Sequence, residues 1–494
     1  MEPVSLEAIA GATGGSLQPV RGRPVVETAG NWPIFISSVC TDTRALTPGC
    51  VFVALKGPSF DGHRFVADAF QRGAVAALVE RAQLDAVQAD VQAGENGQQT
   101  PPPTATLIAV DDTLQALGDL ARWYRSRFGI PVVGVTGSVG KTSTKEMVAA
   151  ILGQRGSVVS TAANYNNEIG LPLTLFGIGS GHSAAVVEMA MRGTGQIRYL
   201  AEIAQPQIGV ITNIGTSHLE LLGSREAIAR AKGELLELLP ETGMAVLPAS
   251  DGFLPLLRTL CRCQVTTFGF AGEGAADVAV AQLDIRPTES HFVLEAFGER
   301  IPVRLPLPGR HNALNAAAAA AAALQAGASA RDVAAGLDAV SLPGMRMQVV
   351  RGADGVMILN DVYNASPSSM AAALEHLRHL PGKRHVAILG DMLELGAESE
   401  AGHRETGVAA AWVDLLIAVG ERAREIAAGA ATAGLPAERI HLCADAEAAL
   451  SLARAHVKPG DAVLVKASRG MQLEIVVAGL SPRDEGGEGT TAHE

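Results

Sequence analysis

The sequence has 494 residues, is 48% hydrophobic and 18% charged, and carries a formal net charge of −12 at pH 7. At roughly 150 residues per domain, that length fits about three domains with real cores. The acidic balance excludes a general nucleic-acid binder, whose phosphate contacts need a basic field, but leaves room for a small anionic ligand held by a few local donors.

In chain order, the start Met1-Glu2-Pro3-Val4-Ser5-Leu6 lacks the basic-then-apolar pattern of a signal peptide. A first section, residues 1–128, alternates β-branched runs with Ala-rich stretches, the pattern of βα units. Its strands are expected at Val39-Cys40-Thr41, Val51 to Leu55 and Ala74 to Val79. Gln88 to Thr106, with Pro101-Pro102-Pro103, reads as a mobile surface insertion too polar to pack. A second section, 129–340, opens with a strand from Val132 to Val135. A third, 341–482, has strands expected near Val356 to Leu359, His385 to Leu389, Leu415 to Val419 and Ala462 to Val465. The polar, Gly-rich end, 483–494, reads as a disordered tail. The longest apolar run, Ala316 to Leu324, falls far short of the ~20 residues of a membrane span. No membrane insertion and a cytoplasmic place are therefore expected. Cys40, Cys50, Cys261, Cys263 and Cys443 form an odd, scattered set, expected as free thiols.

The strongest motif is Gly134-Val135-Thr136-Gly137-Ser138-Val139-Gly140-Lys141-Thr142, between a strand and a helix predicted from Thr142 to Leu152. Its glycines allow backbone N–H groups to approach phosphate oxygens at a helix N-terminus. Lys141 would reach the β- and γ-phosphates and Thr142 would bind Mg²⁺. Val135 stands where the strict motif has a glycine. Two further strands end in polar residues, at Glu188 and at His218, and in a parallel sheet those ends share the ligand-binding side. A carboxylate and an imidazole there are candidate Mg²⁺ neighbours, although Mg²⁺ prefers oxygen. On the helix expected from Ser224 to Leu239, Lys232 shares a face with Ile228, Leu235, Leu236 and Leu239. Such a lysine either snorkels to water or becomes a desolvated amine of lowered pKa, able to add CO₂ and become a carbamate.

These motifs resemble those of the Mur ligases, and the resemblance covers nearly the whole chain. It rests on Thr136 to Thr142, Glu188, His218, the step from His218 to Lys232, and Gly309-Arg310-His311-Asn312-Ala313-Leu314-Asn315. Asp361-Val362-Tyr363-Asn364-Ala365-Ser366-Pro367 and Gly390-Asp391-Met392-Leu393-Glu394-Leu395-Gly396 resemble runs of the branch that adds D-alanyl-D-alanine. Ser366 and Val362 depart from that pattern.

The resemblance implies an α/β fold of three domains: a central P-loop-type parallel sheet, an α/β N-terminal substrate domain and a Rossmann-like C-terminal domain. It implies ATP and Mg²⁺, with UDP-N-acetylmuramoyl-tripeptide and D-alanyl-D-alanine as substrates. A monomer is expected. Lys141, Glu188, His218 and Lys232 are the implied catalytic residues. Thr136, Gly137, Ser138, Val139, Gly140, Lys141, Thr142, Asn312 and Arg346 would hold the nucleotide. Thr142, Glu188, His218 and Lys232, as its carbamate, would hold the metal. Thr43, Arg44, Asp61, His63, Thr161, Asn164 and Asn167 would meet the precursor, and Asp361, Tyr363 and Asn364 the dipeptide. Asp42-Thr43-Arg44 alone reads as an ordinary polar turn. Eight of the ten asparagines fall in motif segments: Asn164, Asn166, Asn167, Asn213, Asn312, Asn315, Asn360 and Asn364. An amide offers both donors and acceptors, which suits ligand loops.

Overall fold

The computed structural model describes residues 1–20, 35–95, 105–342 and 344–482. The first section forms a five-stranded sheet in the order Ser16–Pro19, Thr106–Val110, Ala76–Glu80, Val51–Val53, Val39–Cys40. All its pairs are parallel except the first.

One expectation here is corrected. The segment after Gln88 does not begin as an unpacked insertion, because Leu84–Glu95 is a helix. Val87 and Val91, one helical turn apart, are buried together with Gln88, so a single apolar stripe anchors an otherwise polar helix. Residues 96–104 and the tail 483–494 lie outside the described residues.

The central sheet has nine strands. Their order is Glu299–Leu305, Ser290–Ala296, Val278–Ile285, Gln264–Phe270, Met244–Pro248, Ile208–Ile211, Val132–Thr136, His182–Glu188 and Ser157–Ser160. Pairing is parallel from Val278–Ile285 to Ser157–Ser160 and antiparallel across the remaining edge. The expected parallel sheet is thus mostly parallel, with a meander added. The meander turns at Phe297 and Gly298, both with positive φ, 50° and 86°. That is the backbone of a two-residue hairpin, and a phenylalanine at its first position hides the usual Asn-Gly or Asp-Gly signal. Helices Lys141–Leu152, Arg310–Gln325 and Ala330–Asp338 cover one face. Ala316 to Ala323 are fully buried; side chains this small bring the Arg310–Gln325 helix close against the sheet. Helices Thr113–Ser126, Gln196–Ala204 and Arg225–Glu237 cover the other face.

The third section is a six-stranded sheet ordered Gln348–Arg351, Met357–Asp361, Ala462–Lys466, His385–Gly390, Leu415–Val419, Ile440–Cys443, parallel except at its first pair. The last strand in sequence, Ala462–Lys466, inserts between two earlier ones. This creates a switch point, where open α/β sheets bind ligands beyond the strands' carboxyl ends. Asp361, Gly390 and Lys466 stand at those ends. No described helix is long and apolar enough to cross a membrane, and all five cysteines are free.

Candidate functional site

The loop after Val132–Thr136 is built on glycines that nothing else could replace. Gly137 and Gly140 have φ of 149° and 85°. A Cβ on Gly137 would lie 1.9 Å from Thr212 Oγ1, and one on Gly140 2.5 Å from Asn315 Oδ1. Gly140 caps the Lys141–Leu152 helix without any side-chain bond, leaving its first N–H groups for an anion. The end of the neighbouring Ile208–Ile211 strand braces the loop. Val139 N donates to Asn213 Oδ1 at 3.0 Å, Ser138 N to the Asn213 carbonyl at 3.1 Å, and Thr212 Oγ1 to the Val139 carbonyl at 2.6 Å. Thr136 Oγ1 donates to the Met189 carbonyl at 2.9 Å. These bonds brace the glycine-rich loop from the neighbouring strand ends.

The chemistry-bearing side chains converge around this loop. Thr142 Oγ1 donates to Glu188 Oε2 at 2.7 Å, and Asn166 Nδ2 to Glu188 Oε1 at 2.7 Å. Thr161 Oγ1 accepts from Glu188 N at 2.9 Å. Lys145 Nζ, fully buried, donates to the Thr161 carbonyl at 2.6 Å and so ties that loop to the helix. Lys141 Nζ donates to the Gly137 and Ser138 carbonyls at 2.8 and 3.3 Å. Burial lowers its pKa, Glu188 opposes that shift, and Arg346 adds to it. Lys232 Nζ, 1% exposed, donates to the same Gly137 carbonyl at 3.0 Å. Desolvation, then the charge of Lys141, holds its pKa well below the ordinary lysine value.

Oxygen donors from Thr142 and Glu188 suit a hard divalent cation that keeps waters and shares phosphate oxygens. Among the described residues no three His, Cys, Asp or Glu side chains converge as a metal cage. His218 Nδ1 instead lies 3.2 Å from Glu394 Oε2, a residue of the third domain.

Around the third domain's switch point, Lys466 Nζ donates to Asp361 Oδ2 at 2.5 Å and to the Asn364 carbonyl at 2.8 Å. Asp361 Oδ1 accepts from Met347 N at 3.1 Å. The Arg346 guanidinium lies 3.7 Å over the Tyr363 ring, a cation–π contact. Asn364 is exposed, its own Oδ1 accepting from Ala365 N. Asn312 is buried, with its amide donating to the Pro308 carbonyl at 2.8 Å. His311 is pushed down to about 4 by burial, Asp361 opposing and Lys466 adding to the shift.

His376 is 2% exposed, and neither ring nitrogen has a hydrogen-bond partner. Burial first, then His311 and His379, lowers its pKa from 6.5 to about 4. The unfolded chain takes up this proton near pH 6.5 and the folded chain near 4. Stability that is full above 6.5 is therefore lost as pH falls toward 4. We expect His376→Leu to unfold at a higher temperature than the wild type, by a margin that grows from pH 7 to pH 4.5. A margin independent of pH would show that His376 does not titrate on unfolding.

The N-terminal candidates lie in their own sheet's loops. Asp42 pairs with exposed Arg44 at 2.5 Å, and hydrogen bonds from Arg44 pull its pKa down to about 2. Thr43 follows Asp42 in the same short turn. His63 is engaged internally: Nδ1 faces Asp61 Oδ1 at 2.6 Å and Nε2 accepts from Glu80 N at 3.0 Å. Both ring nitrogens are engaged within the N-terminal domain, so His63 shapes its loop. Asn167 Oδ1 accepts from Gly170 N at 2.9 Å, while Asn164 is exposed. No motif points to Lys145 or Lys466, and Glu394 stands out only as part of the Gly390-to-Gly396 run. Lys466 had the same signal as Glu188, a polar residue closing an apolar strand.

The Mur ligase middle domain family matches residues 135–323, the Mur ligase glutamate ligase domain 345–469, and the Mur ligase catalytic domain family 35–125. The UDP-N-acetylmuramoyl-tripeptide–D-alanyl-D-alanine ligase of Bacillus subtilis is 38% identical over 448 residues, 90% of this chain and 93% of that protein. The Escherichia coli protein of the same name is 37% identical over 452 residues, 90% and 94% of the two chains. MurF from Acinetobacter baumannii superposes with a TM-score of 0.83 at 32% identity, over 97% of this chain and 99% of its own. The Thermotoga maritima MurF ligase in complex with ADP gives 0.73 at 31% identity, over 90% and 96%. With three domain matches in order along the sequence and these identities across nine-tenths of it, the chain belongs to the Mur ligase family.

Proposed function

We propose that this chain joins D-alanyl-D-alanine to UDP-N-acetylmuramoyl-tripeptide at the expense of ATP, in peptidoglycan precursor synthesis in the bacterial cytoplasm. The observation that carries the reading is the braced phosphate loop, with Thr142 on the Glu188 carboxylate at 2.7 Å, facing a third domain that bears the Asp361–Asn364 run. Residues 1–128 take the precursor's nucleotide through Thr43, Arg44, Asp61 and the loop that His63 shapes. Residues 129–340 bind ATP, and 341–482 the dipeptide.

In the first step a carboxylate oxygen of the tripeptide attacks the γ-phosphorus, the bond to the β-phosphate oxygen breaks, and ADP leaves. In the second, the dipeptide amine attacks the acyl carbon, phosphate leaves with the former carboxylate oxygen, and the amine loses a proton. Two anions must approach in the first step, and Lys141 and the helix N-terminus offset their repulsion. Thr142 and Glu188 would hold Mg²⁺, which when bound neutralises phosphate oxygens. On this reading Thr161, Asn164 and Asn167 meet the muramyl peptide. On this reading Asn312 and Arg346 hold the nucleotide, Arg346 stacked on Tyr363. Closure of the third domain keeps water from the acyl phosphate.

The test is phosphate release that needs ATP, the UDP-tripeptide and the dipeptide together. Release without the dipeptide, or with a single amino acid in its place, would contradict this assignment. Asn364 is exposed beside the Lys466–Asp361 pair. Asn364→Ala is expected to raise KM for D-alanyl-D-alanine roughly 10-fold, the effect of one lost hydrogen bond, with KM for ATP within about 2-fold of wild type. Equal effects on both would remove Asn364 from the dipeptide site.

A further inference from the structure

Two residues with unusual backbones meet across the seam between the central and third domains. His218 and Glu394 both adopt left-handed φ, 66° and 69°, a conformation that non-glycine residues keep only where their surroundings hold them. His218 Nδ1 is 3.2 Å from Glu394 Oε2. That buried nitrogen makes no aligned hydrogen bond among the described residues, so the two side chains meet by proximity. The Glu394 carboxyl is held below the ordinary range by His218 first, with Arg192 and Lys141 adding to the effect.

The contact is buttressed on both sides. Gly396, with φ of 54°, lies so close to the short Leu219–Leu222 helix that a Cβ there would sit 2.8 Å from Glu220 Cα. The Glu394 arm is tied into its own domain. Met392 N donates to His403 Nε2 at 2.9 Å, Leu393 N to Ser468 Oγ at 2.8 Å, and Ala423 N to Asp391 Oδ1 at 2.7 Å. The His218 segment is tied to the phosphate loop, Gly215 N donating to Ser138 Oγ at 2.8 Å. A continuous run of contacts thus leads from the phosphate loop through His218 and Glu394 into the third domain.

We propose that Glu394 is a positioning residue for ligation: by engaging His218 across the seam, it registers the third domain and its amine-binding loop on the phosphate loop. This rests on the ligase reading above.

The experiment compares full-length wild type, Glu394→Ala, Glu394→Gln and Gly396→Ala, each with ADP and Mg²⁺. Hydrogen–deuterium exchange is followed at residues 215–222 and 390–398, beside steady-state kinetics. Gly396→Ala keeps the carboxylate but lifts its loop, so it tests the seam without touching the charge. Glu394→Ala and Gly396→Ala are expected to speed exchange in both segments. KM for the dipeptide should rise roughly 10-fold in Glu394→Ala, with ADP affinity within about 2-fold of wild type. Glu394→Gln, of the same shape, should lie between. Wild-type exchange at 215–222 in Glu394→Ala would overturn the proposal, as would a fall in ADP affinity as large as the rise in dipeptide KM. If the wild type ligates some other amine, the assigned substrate fails while the exchange result still decides the role of Glu394.

Discussion

Lys141→Ala is expected to lower kcat for ligation by at least 10²- to 10³-fold, the range for removing one preorganised charge from a phosphoryl- or acyl-transfer site. The melting temperature should stay within a few degrees of wild type. The two effects separate because of where the side chain lies. Its amine is held by two loop carbonyls, at 2.8 and 3.3 Å, with no carboxylate bonded to it. Removing it deletes little packing. The loop itself is braced independently by Asn213 and Thr212. Its lowered pKa also has a direction that matters. Burial disfavours the cation, and Glu188 restores it; an incoming phosphate would restore it further, so the charge strengthens where the substrate's own charge lies. Turnover close to wild type in a folded variant would remove Lys141 from the phosphate site.

The glycine-rich loop between Val132–Thr136 and Lys141–Leu152 was legible in the sequence because its demands are local. Left-handed glycines, a lysine and a helix start must follow one another, and they do. The same holds for Lys232, whose apolar neighbours recur at helical spacing. What escaped was set by chain reversal. Lys466 and Asp361 are 105 residues apart, and only the parallel sheet brings them together. Glu394 and His218 meet through the packing of two domains, which no local pattern encodes. His63 stands out as a precursor contact by resemblance alone, and no sequence pattern shows that its two nitrogens meet Asp61 and the Glu80 N–H. The helix Leu84–Glu95 was hidden by its polar composition, since Val87 and Val91 are a narrow stripe.

Lys232→Ala is expected to be nearly inactive, down about 10²-fold or more, and partly restored by acetate, because the working form of Lys232 is proposed to be a carbamate. The side chain is 1% exposed on a face shared with fully buried Ile228, Leu235 and Leu236. Among the described residues its amine has no carboxylate partner. It donates to the Gly137 carbonyl that Lys141 also uses, at 3.0 and 2.8 Å. Two cations on one carbonyl repel, and burial of an unpaired ammonium is costly. Desolvation and Lys141 accordingly hold Lys232 toward the neutral amine. A neutral amine is the form whose lone pair attacks the carbon of CO₂; the C–N bond forms, one proton leaves, and an anion then faces the Lys141 cation. An anion there also matches the metal-binding role set out for Thr142 and Glu188. The alanine variant leaves a space that a short carboxylic acid can enter, placing an anion where the carbamate was. A readout apart from turnover is the ¹³C signal of protein held in ¹³C-bicarbonate: a carbamate resonance in wild type, lost on acidification and absent from Lys232→Ala. Because the substitution removes a desolvated amine, the variant should melt no lower than wild type by more than a few degrees. Full activity in Lys232→Ala, or no carbamate resonance in active wild type, would show that Lys232 works as a plain amine.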